Sequence, residues 1–427
     1  MIMTITVVGL LTLMAIGVPI AWALGITAFG SLMLMGVPLH TIPQKLFSGM
    51  DCFPLMCIPF FIFAGEIMAV GGLSTRLLNF ALLFVGSFRG GLPIASVIAS
   101  MIFGGITGSG IADASALGAV GIPMMKKAGY GQTFAAAVVG AAGCVGPIIP
   151  PSIPVVVYAM AVGGVSIGGM FAGGVLPGIL IGILLMILCY VLSRRRNYPK
   201  REQRISPREF LVGIKDSFLA VMTPVIVLGG ILGGIFTPTE AAAVSVVYAF
   251  VVCYFVYHEL KLSELPAMLL RTGVTSAVVM IIIGTSNILG LVVAFEQMSV
   301  KLGVILKPMG YYGFIMTVNV IFLIWGCLMD MNPAILILAP IFAPIAMLLG
   351  FHPIHFGLIV CINLIVGLIT PPLGEILFIV GPMAGISLEE LSKEILPFIL
   401  VEIFALLLIT YFPFFTLYIP QLLGYIR

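Results

Sequence analysis

Charge is scarce in this 427-residue chain: 8% of residues are Asp, Glu, Lys or Arg, 61% are hydrophobic, and mean hydropathy is +1.26. Too little polar surface exists to cover an apolar core of that size, which excludes a soluble domain. A phosphate-binding loop and a paired-His metal motif are both missing, which removes the common nucleotide-dependent and zinc-dependent enzymes. The formal charge of +3 is small and nothing in it points to nucleic acid. Seven Cys (52, 57, 144, 189, 253, 327 and 361) sit mostly in apolar runs without metal-ligand spacing. They read as small packed side chains, so neither a disulfide nor a transition-metal site follows from them. The first 20 residues lack a basic leader and a clear cleavage site and read as a retained helix.

What remains is an all-α polytopic membrane protein. Its one long polar stretch, 193–216, carries Arg194, Arg195, Arg196, Lys200, Arg201, Arg204, Arg208 and Lys215 and separates two halves, 1–192 and 217–427. Apolar runs predict crossings at about 3–18, 20–37, 54–72, 132–158 and 171–192, with a Gly-rich hairpin over 92–128 that enters and leaves on one side. The second half predicts crossings at about 217–235, 238–257, 274–296, 356–380 and 396–419, with its hairpin over 319–348. Five crossings per half is odd, so the second repeat is expected upside down relative to the first. With the basic linker cytoplasmic, Arg76, Arg89, Lys126, Lys127, Lys261, Arg271 and Lys393 fall on its side, and both termini face the periplasm. The joint at Gly17-Val18-Pro19 leaves almost no loop; merging its two helices would abolish the inversion. Arg76 and Arg89, with aromatics between them, predict a helix at the cytoplasmic interface.

The halves share a pattern of helix breakers. At an offset of 221, Gly105, Pro123, Gly129, Gly146, Pro150 and Pro151 fall on Gly326, Pro344, Gly350, Gly367, Pro371 and Pro372. Breakers at matching intramembrane positions point to a transporter binding site, because a broken helix exposes backbone dipoles. The first hairpin tip, Gly104 to Asp113, sets Thr107 and Ser109 among glycines, where unpaired carbonyls suit a small cation and unpaired amides an anion. In Gly143 to Ser152, Pro147, Pro150 and Pro151 interrupt a crossing and free carbonyls that need a partner. The second tip, Gly326 to Pro333, has Asp330 and Asn332 where the first has Ser109 and Ile111, and the second break is Gly367 to Gly374 with Thr370. Asp330 is the leading acidic residue at membrane depth, as an ion ligand, an N-cap of the outgoing half-helix, or both. Asp51, Glu66, Asp113, Glu240, Glu296 and Glu375 also lie in or beside apolar runs, while no Lys or Arg falls near the centre of a crossing. That imbalance favours cation binding. Pro238 beside Thr237, Thr239 and Glu240 marks a helix N-terminus. An aspartyl dyad of Asp113 and Asp330 is the less economical reading, since each acid belongs to the hairpin of its own half.

Together these elements resemble the large membrane subunit of the tripartite ATP-independent periplasmic (TRAP) transporters. The resemblance runs nearly end to end, from Gly17 to Ala21 through Gly108 to Asp113, Ile122-Pro123, Gly129-Tyr130, Pro147 to Ser152 and Phe236 to Ala242. It continues with Asp330 to Pro333, Ala339-Pro340, His355 to Gly357, Asn363-Leu364 and Gly367 to Gly374. The resemblance implies a two-half elevator of the ion-transporter superfamily type in the bacterial or archaeal inner membrane, coupled to sodium. A small four-helix (Q-type) membrane subunit and a periplasmic (P-type) binding protein would be its partners. It implies one sodium site from Gly105, Thr107, Ser109, Gly143 and Gly146, and a second from Gly326, Asp330, Gly367 and Thr370. The organic anion, such as a sialic acid, a C4-dicarboxylate or a sulfonate, would lie between the tips at Ser109, Asp113, Pro150, Asn332 and Pro371. One departure stands out: after Gly374 the family pattern continues with an apolar residue and Asn, whereas this chain has Glu375 and Ile376. A stand-alone anion carrier without a binding protein is the alternative; a channel or structural subunit is the more distant one.

Overall fold

The computed structural model describes residues 2–198 and 206–426, and the chain within them is helical without a strand. Lys200, Arg201 and Arg204 of the basic linker, and Arg427, lie outside the described residues. The first half opens with α1 (Ile2–Ala15), α2 (Ile20–Leu34), α3 (Thr41–Met50), α4 (Cys57–Val70) and α5 (Leu73–Val85). Then come the hairpin arms α6 (Gly91–Thr107) and α7 (Gly110–Lys127), the half-helices α8 (Gln132–Val145) and α9 (Ile153–Val162), and the long α10 (Ile167–Arg195). The second half runs α11 (Pro207–Leu232), α12 (Pro238–Val251), α13 (Leu265–Phe295) and α14 (Met298–Leu306). Its hairpin is α15 (Gly310–Leu328) with α16 (Met331–Leu348), its broken helix α17 (Pro353–Gly367) with α18 (Leu377–Ala384), and it closes with α19 (Leu388–Tyr411) and α20 (Phe414–Leu422).

Three helix starts repeat at the offset of the glycine pattern: α7 and α16, α8 and α17, and α10 and α19 each begin 221 residues apart. The tight joint after α1 stays a turn. Gly17 takes φ +86° and the Val18 N–H returns to the Leu13 carbonyl at 3.0 Å, a glycine helix stop. The hydroxyls of Thr6 and Ser31 then meet at 2.5 Å across the antiparallel pair. With 14 and 15 residues, α1 and α2 are each about 21–23 Å long, short of a hydrocarbon core of about 30 Å. By length and composition, eight helical segments among the described residues can cross a membrane, or nine if α8 and α9, bent by 45° at their break, count as one. The crossing expected at 396–419 is two helices, because the chain stops at Phe412 and turns through Pro413. Helix also reaches into both ends of the expected linker: α10 runs to Arg195, and a capping box of Ser206 and Glu209 starts α11 at Pro207.

The centre of the molecule is α8 and α17. Every residue from Phe134 to Val145 and from Ile354 to Gly367 is buried. A helix apolar on all sides belongs inside a bundle, and the Ala and Gly residues that fill 135–143 apart from Val138 and Val139 let neighbours come close. α8 packs against α6, α7 and α19, and α17 against α15 and α16. The hairpins also reach across to the opposite half: α7 lies on α18, and α16 on α9. Around this core α2 and α3 pack on α13, α4 on α12, and α5 on α11. Trp22, Phe47, Ile235, Val304 and Leu348 point outward, as expected of a surface that faces lipid.

Candidate functional site

At the first hairpin tip α6 ends on Thr107, and Gly108, at φ +61°, turns its N–H back to the Gly104 carbonyl at 3.0 Å. Ser109 caps α7 by accepting the Ala112 N–H at 3.4 Å. The Thr107 hydroxyl donates to Asp113 Oδ1 and accepts the Ser109 N–H at 3.3 Å. Asp113 is wholly buried, and its Oδ2 has no hydrogen-bond partner. The first break closes on this carboxylate. A Cβ on Gly146 would fall 1.6 Å from Asp113 Oδ2, and one on Gly104 would fall 2.0 Å from the Gly146 Cα. Both positions therefore require glycine.

The prolines account for the carbonyls of the break. Pro147 has no amide, so the Gly143 carbonyl loses its usual helical donor; that oxygen lies 2.9 Å from where a Gly110 Cβ would sit. The Gly146 carbonyl is taken by the Ile149 N–H at 3.1 Å, and the Pro147 carbonyl by the Ser152 hydroxyl. Pro150-Pro151 is cis, and the Gly108 carbonyl at the tip accepts the Ile153 N–H beyond it at 3.4 Å. A Cβ on Gly105 would lie 3.3 Å from the Pro150 carbonyl oxygen. Gly105, Thr107, Ser109, Asp113, Gly143, Gly146 and Pro150 thus form one cluster of tip and break.

The second cluster repeats the scheme with other side chains. Asp330 caps α16, accepting the Asn332 N–H at 3.4 Å, and Asn332 Oδ1 is buried without a partner. A Cβ on Gly367 would fall 2.4 Å from the Gly326 carbonyl carbon. Pro371-Pro372 is cis like its counterpart, and the Thr370 hydroxyl donates to the Val366 carbonyl at 2.8 Å. Glu375 directly follows the second break and is half-buried. The halves differ in where the acid stands: Asp113 is turned into the first break, and Asp330 is the cap of the second tip.

A cavity of about 410 Å³ lies under the first tip, lined by Thr107, Ser109 and Ser115 of the hairpin, Glu66 of α4 and Thr275 of α13. Of the residues expected around substrate, Ser109 lines it; Asp113, Pro150, Asn332 and Pro371 do not. Sequence reasoning missed Glu402, in the middle of α19. It is 1% exposed, and neither carboxylate oxygen has a partner. A lone acid inside the apolar run 395–409 was the available signal. Missed too was a buried polar chain, in which Asn363 Nδ2 donates to Asn319 Oδ1 at 2.7 Å and Asn319 Nδ2 to Thr410 Oγ1 at 3.2 Å. No group of three His, Cys, Asp or Glu that could hold a metal ion occurs among the described residues.

A helical membrane core in which glycine-rich hairpin tips meet proline-broken helices defines a membrane transporter, and known transporters share the fold. The Alcanivorax borkumensis YdaH transporter superposes with a TM-score of 0.59 at 15% identity, over 91% of this chain and 89% of that one. At the sequence level, the family described as "Tripartite ATP-independent periplasmic transporter, DctM component" matches residues 7–415. The chain belongs to that family, the TRAP transporter large permeases. It is 40% identical to the C4-dicarboxylate TRAP transporter large permease protein DctM of Pseudomonas aeruginosa, over 90% of each chain. It is 35% identical to the sialic acid TRAP transporter large permease protein SiaM of Vibrio cholerae, over 98% of this chain and 99% of that one. Against the isethionate TRAP transporter permease protein DctMQ of Oleidesulfovibrio alaskensis, identity is 39% over 94% of this chain and 63% of that protein. These relatives are permeases, not enzymes.

Proposed function

We propose that this chain is the transport subunit of a sodium-coupled importer for a small organic acid anion. The observation that carries the reading is the first cluster. A fully buried carboxylate, Asp113, keeps one oxygen unpaired against a seam where Gly104 and Gly146 bring two backbones together. An unpaired buried charge is expensive, and a small monovalent cation offsets it. In this reading the hydroxyls of Thr107 and Ser109 and the carbonyls of Gly105, Gly143 and Gly146 are the cation's further oxygen ligands, through lone pairs left over from their hydrogen bonds, a donor set that suits sodium. In the second half Gly326, Asp330, Gly367 and Thr370 stand in the corresponding places.

The transported acid is a carboxylate or sulfonate, in keeping with the dicarboxylate, sialic acid and isethionate in the relatives' names. In this reading the hairpins and broken helices slide as one body against a scaffold built on α2, α4, α5 and α11 to α13. The two states differ in affinity for sodium and acid, and that difference lets the ligands drive the motion. The halves 1–192 and 217–427 are inverted repeats, the membrane is the inner membrane, and both termini are periplasmic. The clustering of Arg196 with Glu394 at 2.5 Å and of Arg76 with Glu259 at 2.7 Å supports gathering those basic segments on one face. A binding protein of the P type and a small Q-type membrane subunit complete the system; DctMQ, of which this chain spans 63%, has room for the second.

Uptake into proteoliposomes carrying this chain and the small subunit, with binding protein outside, tests the reading. Uptake driven by an inward sodium gradient but not by potassium, and only with binding protein, is expected. Sodium-independent uptake refutes the coupling, and uptake without the binding protein identifies a stand-alone carrier.

A further inference from the structure

The cavity under the first tip has a charged rim that the cation sites do not use. Glu66 is the one charged side chain lining it. It follows Gly65, where α4 touches the tip so closely that a Cβ would come 3.1 Å from Thr107 Cγ2. A lone carboxylate there would repel an organic anion, but Glu66 is neutralised. Arg271 of α13 brings its Nε to 2.9 Å and its Nη2 to 2.8 Å from the same oxygen, Glu66 Oε2. Arg271 stands one helical turn before Thr275, which lines the cavity, and its ion pair holds the guanidinium beside Glu66 at the cavity's edge.

The arrangement leaves the guanidinium half used. Its Nε edge is engaged, while Nη1 has no partner among the described residues. The Nη1–Nη2 edge matches the two oxygens of a carboxylate or sulfonate. The side chains of Arg271 and Glu66 are 53% and 31% exposed, so the pair is not enclosed by the protein and the arginine is free to exchange partners. The pair is not all that joins the two helices, since α4 and α13 also pack against each other elsewhere.

We infer that Arg271 is an anion contact at the mouth of this cavity, held ready by Glu66, that engages the acid group of a carboxylate or sulfonate passing to or from the first tip. The inference rests on the proposal that this chain moves organic anions. Lysine would not replace it fully, because an ammonium lacks the planar fork.

The test is exchange of radiolabelled succinate, isethionate or N-acetylneuraminate in proteoliposomes holding the complete transporter, with acid concentration varied on each face in turn. Arg271→Ala should raise the half-saturating concentration about ten-fold on the face where the cavity opens and change the maximal rate little; Arg271→Lys should restore part of the loss. Glu66→Gln breaks the same ion pair but frees the guanidinium, so half-saturation should stay or fall. Equal losses of half-saturation and thermal stability in Glu66→Gln and Arg271→Ala would show a structural pair and overturn the inference. Unchanged half-saturation in Arg271→Ala on both faces would overturn it too, with transport itself intact. Failure of the unmodified protein to exchange any of the three acids would instead remove the transport reading, and this inference with it. If Arg271→Ala does not fold, Arg271→Lys and Glu66→Gln still decide, because half-saturation should rise in the first and not in the second, and a rise in both or in neither overturns the inference.

Discussion

Cys144 Sγ donates to the Ile365 carbonyl oxygen at 3.4 Å, and the two residues are 221 apart, the offset that relates one half of the chain to the other. A residue can touch its own repeat equivalent only near an axis that exchanges the repeats. In the proposed inverted-repeat arrangement that axis passes between α8 and α17, just before the breaks at Gly146 and Gly367.

This contact predicts a tight spot. Cys144 is 1% exposed, and overpacking a filled core costs about 1–3 kcal/mol. Cys144→Leu should lower the melting temperature of the detergent-solubilised protein by several degrees, whereas Cys144→Ala should change it little. A thiol reagent should leave Cys144 unlabelled until the protein is unfolded.

The glycines at the two seams should not accept even a methyl group. The Cβ of Gly146→Ala would fall 1.6 Å from Asp113 Oδ2, and that of Gly367→Ala 2.4 Å from the Gly326 carbonyl carbon, while Gly229→Ala meets nothing within 4 Å. Thermal denaturation should show the first two losing about 1–3 kcal/mol or more. Gly229→Ala should be neutral or slightly stabilising, as helix propensity dictates.

Removing the charge at the first cluster should separate sodium from structure. Asp113→Asn keeps an acceptor for the Thr107 hydroxyl but not the charge. The sodium concentration for half-maximal uptake should rise about ten-fold or more, equivalent to about 1.4 kcal/mol. Asp330→Ala and Ser109→Ala should shift it in the same direction. Sodium activation curves that coincide with the unmodified protein in all three would reject the site.

Glu402 poses a different question, since neither of its oxygens has a partner. A neutral isostere at a buried carboxylate without a counter-charge should cost nothing. Glu402→Gln should therefore match or exceed the unmodified protein in thermal stability. Glu402→Lys, which buries an unpaired cation, should reduce the folded yield in detergent. A Gln variant that melts well below the unmodified protein would reveal a cation or proton that the acid must hold.

Much of this protein was legible without coordinates, because its governing features are local. Proline's missing amide marks the breaks at Pro147, Pro150, Pro371 and Pro372 wherever the helix packs. Glycine's missing side chain marks the seams, and the 221-residue offset survives as helix starts at Gly110 and Met331. Most helices were readable to a few residues for the same reason, since hydropathy is a sum along the chain, but α11, α13, α15 and α19 begin about eight to ten residues before the expected segments, where capping and packing carry the helix past its apolar run. Helix rotation is not such a sum. Which way Asp113 turns, into the break at Gly146 and away from the cavity, is set by the contacts of α7 with α8. Likewise Arg271 finds Glu66 across 205 residues, and Cys144 meets Ile365 across 221, only because distant helices pack side by side. Those pairings depend on the whole set of neighbours that each helix face must satisfy at once, and no stretch of sequence contains it.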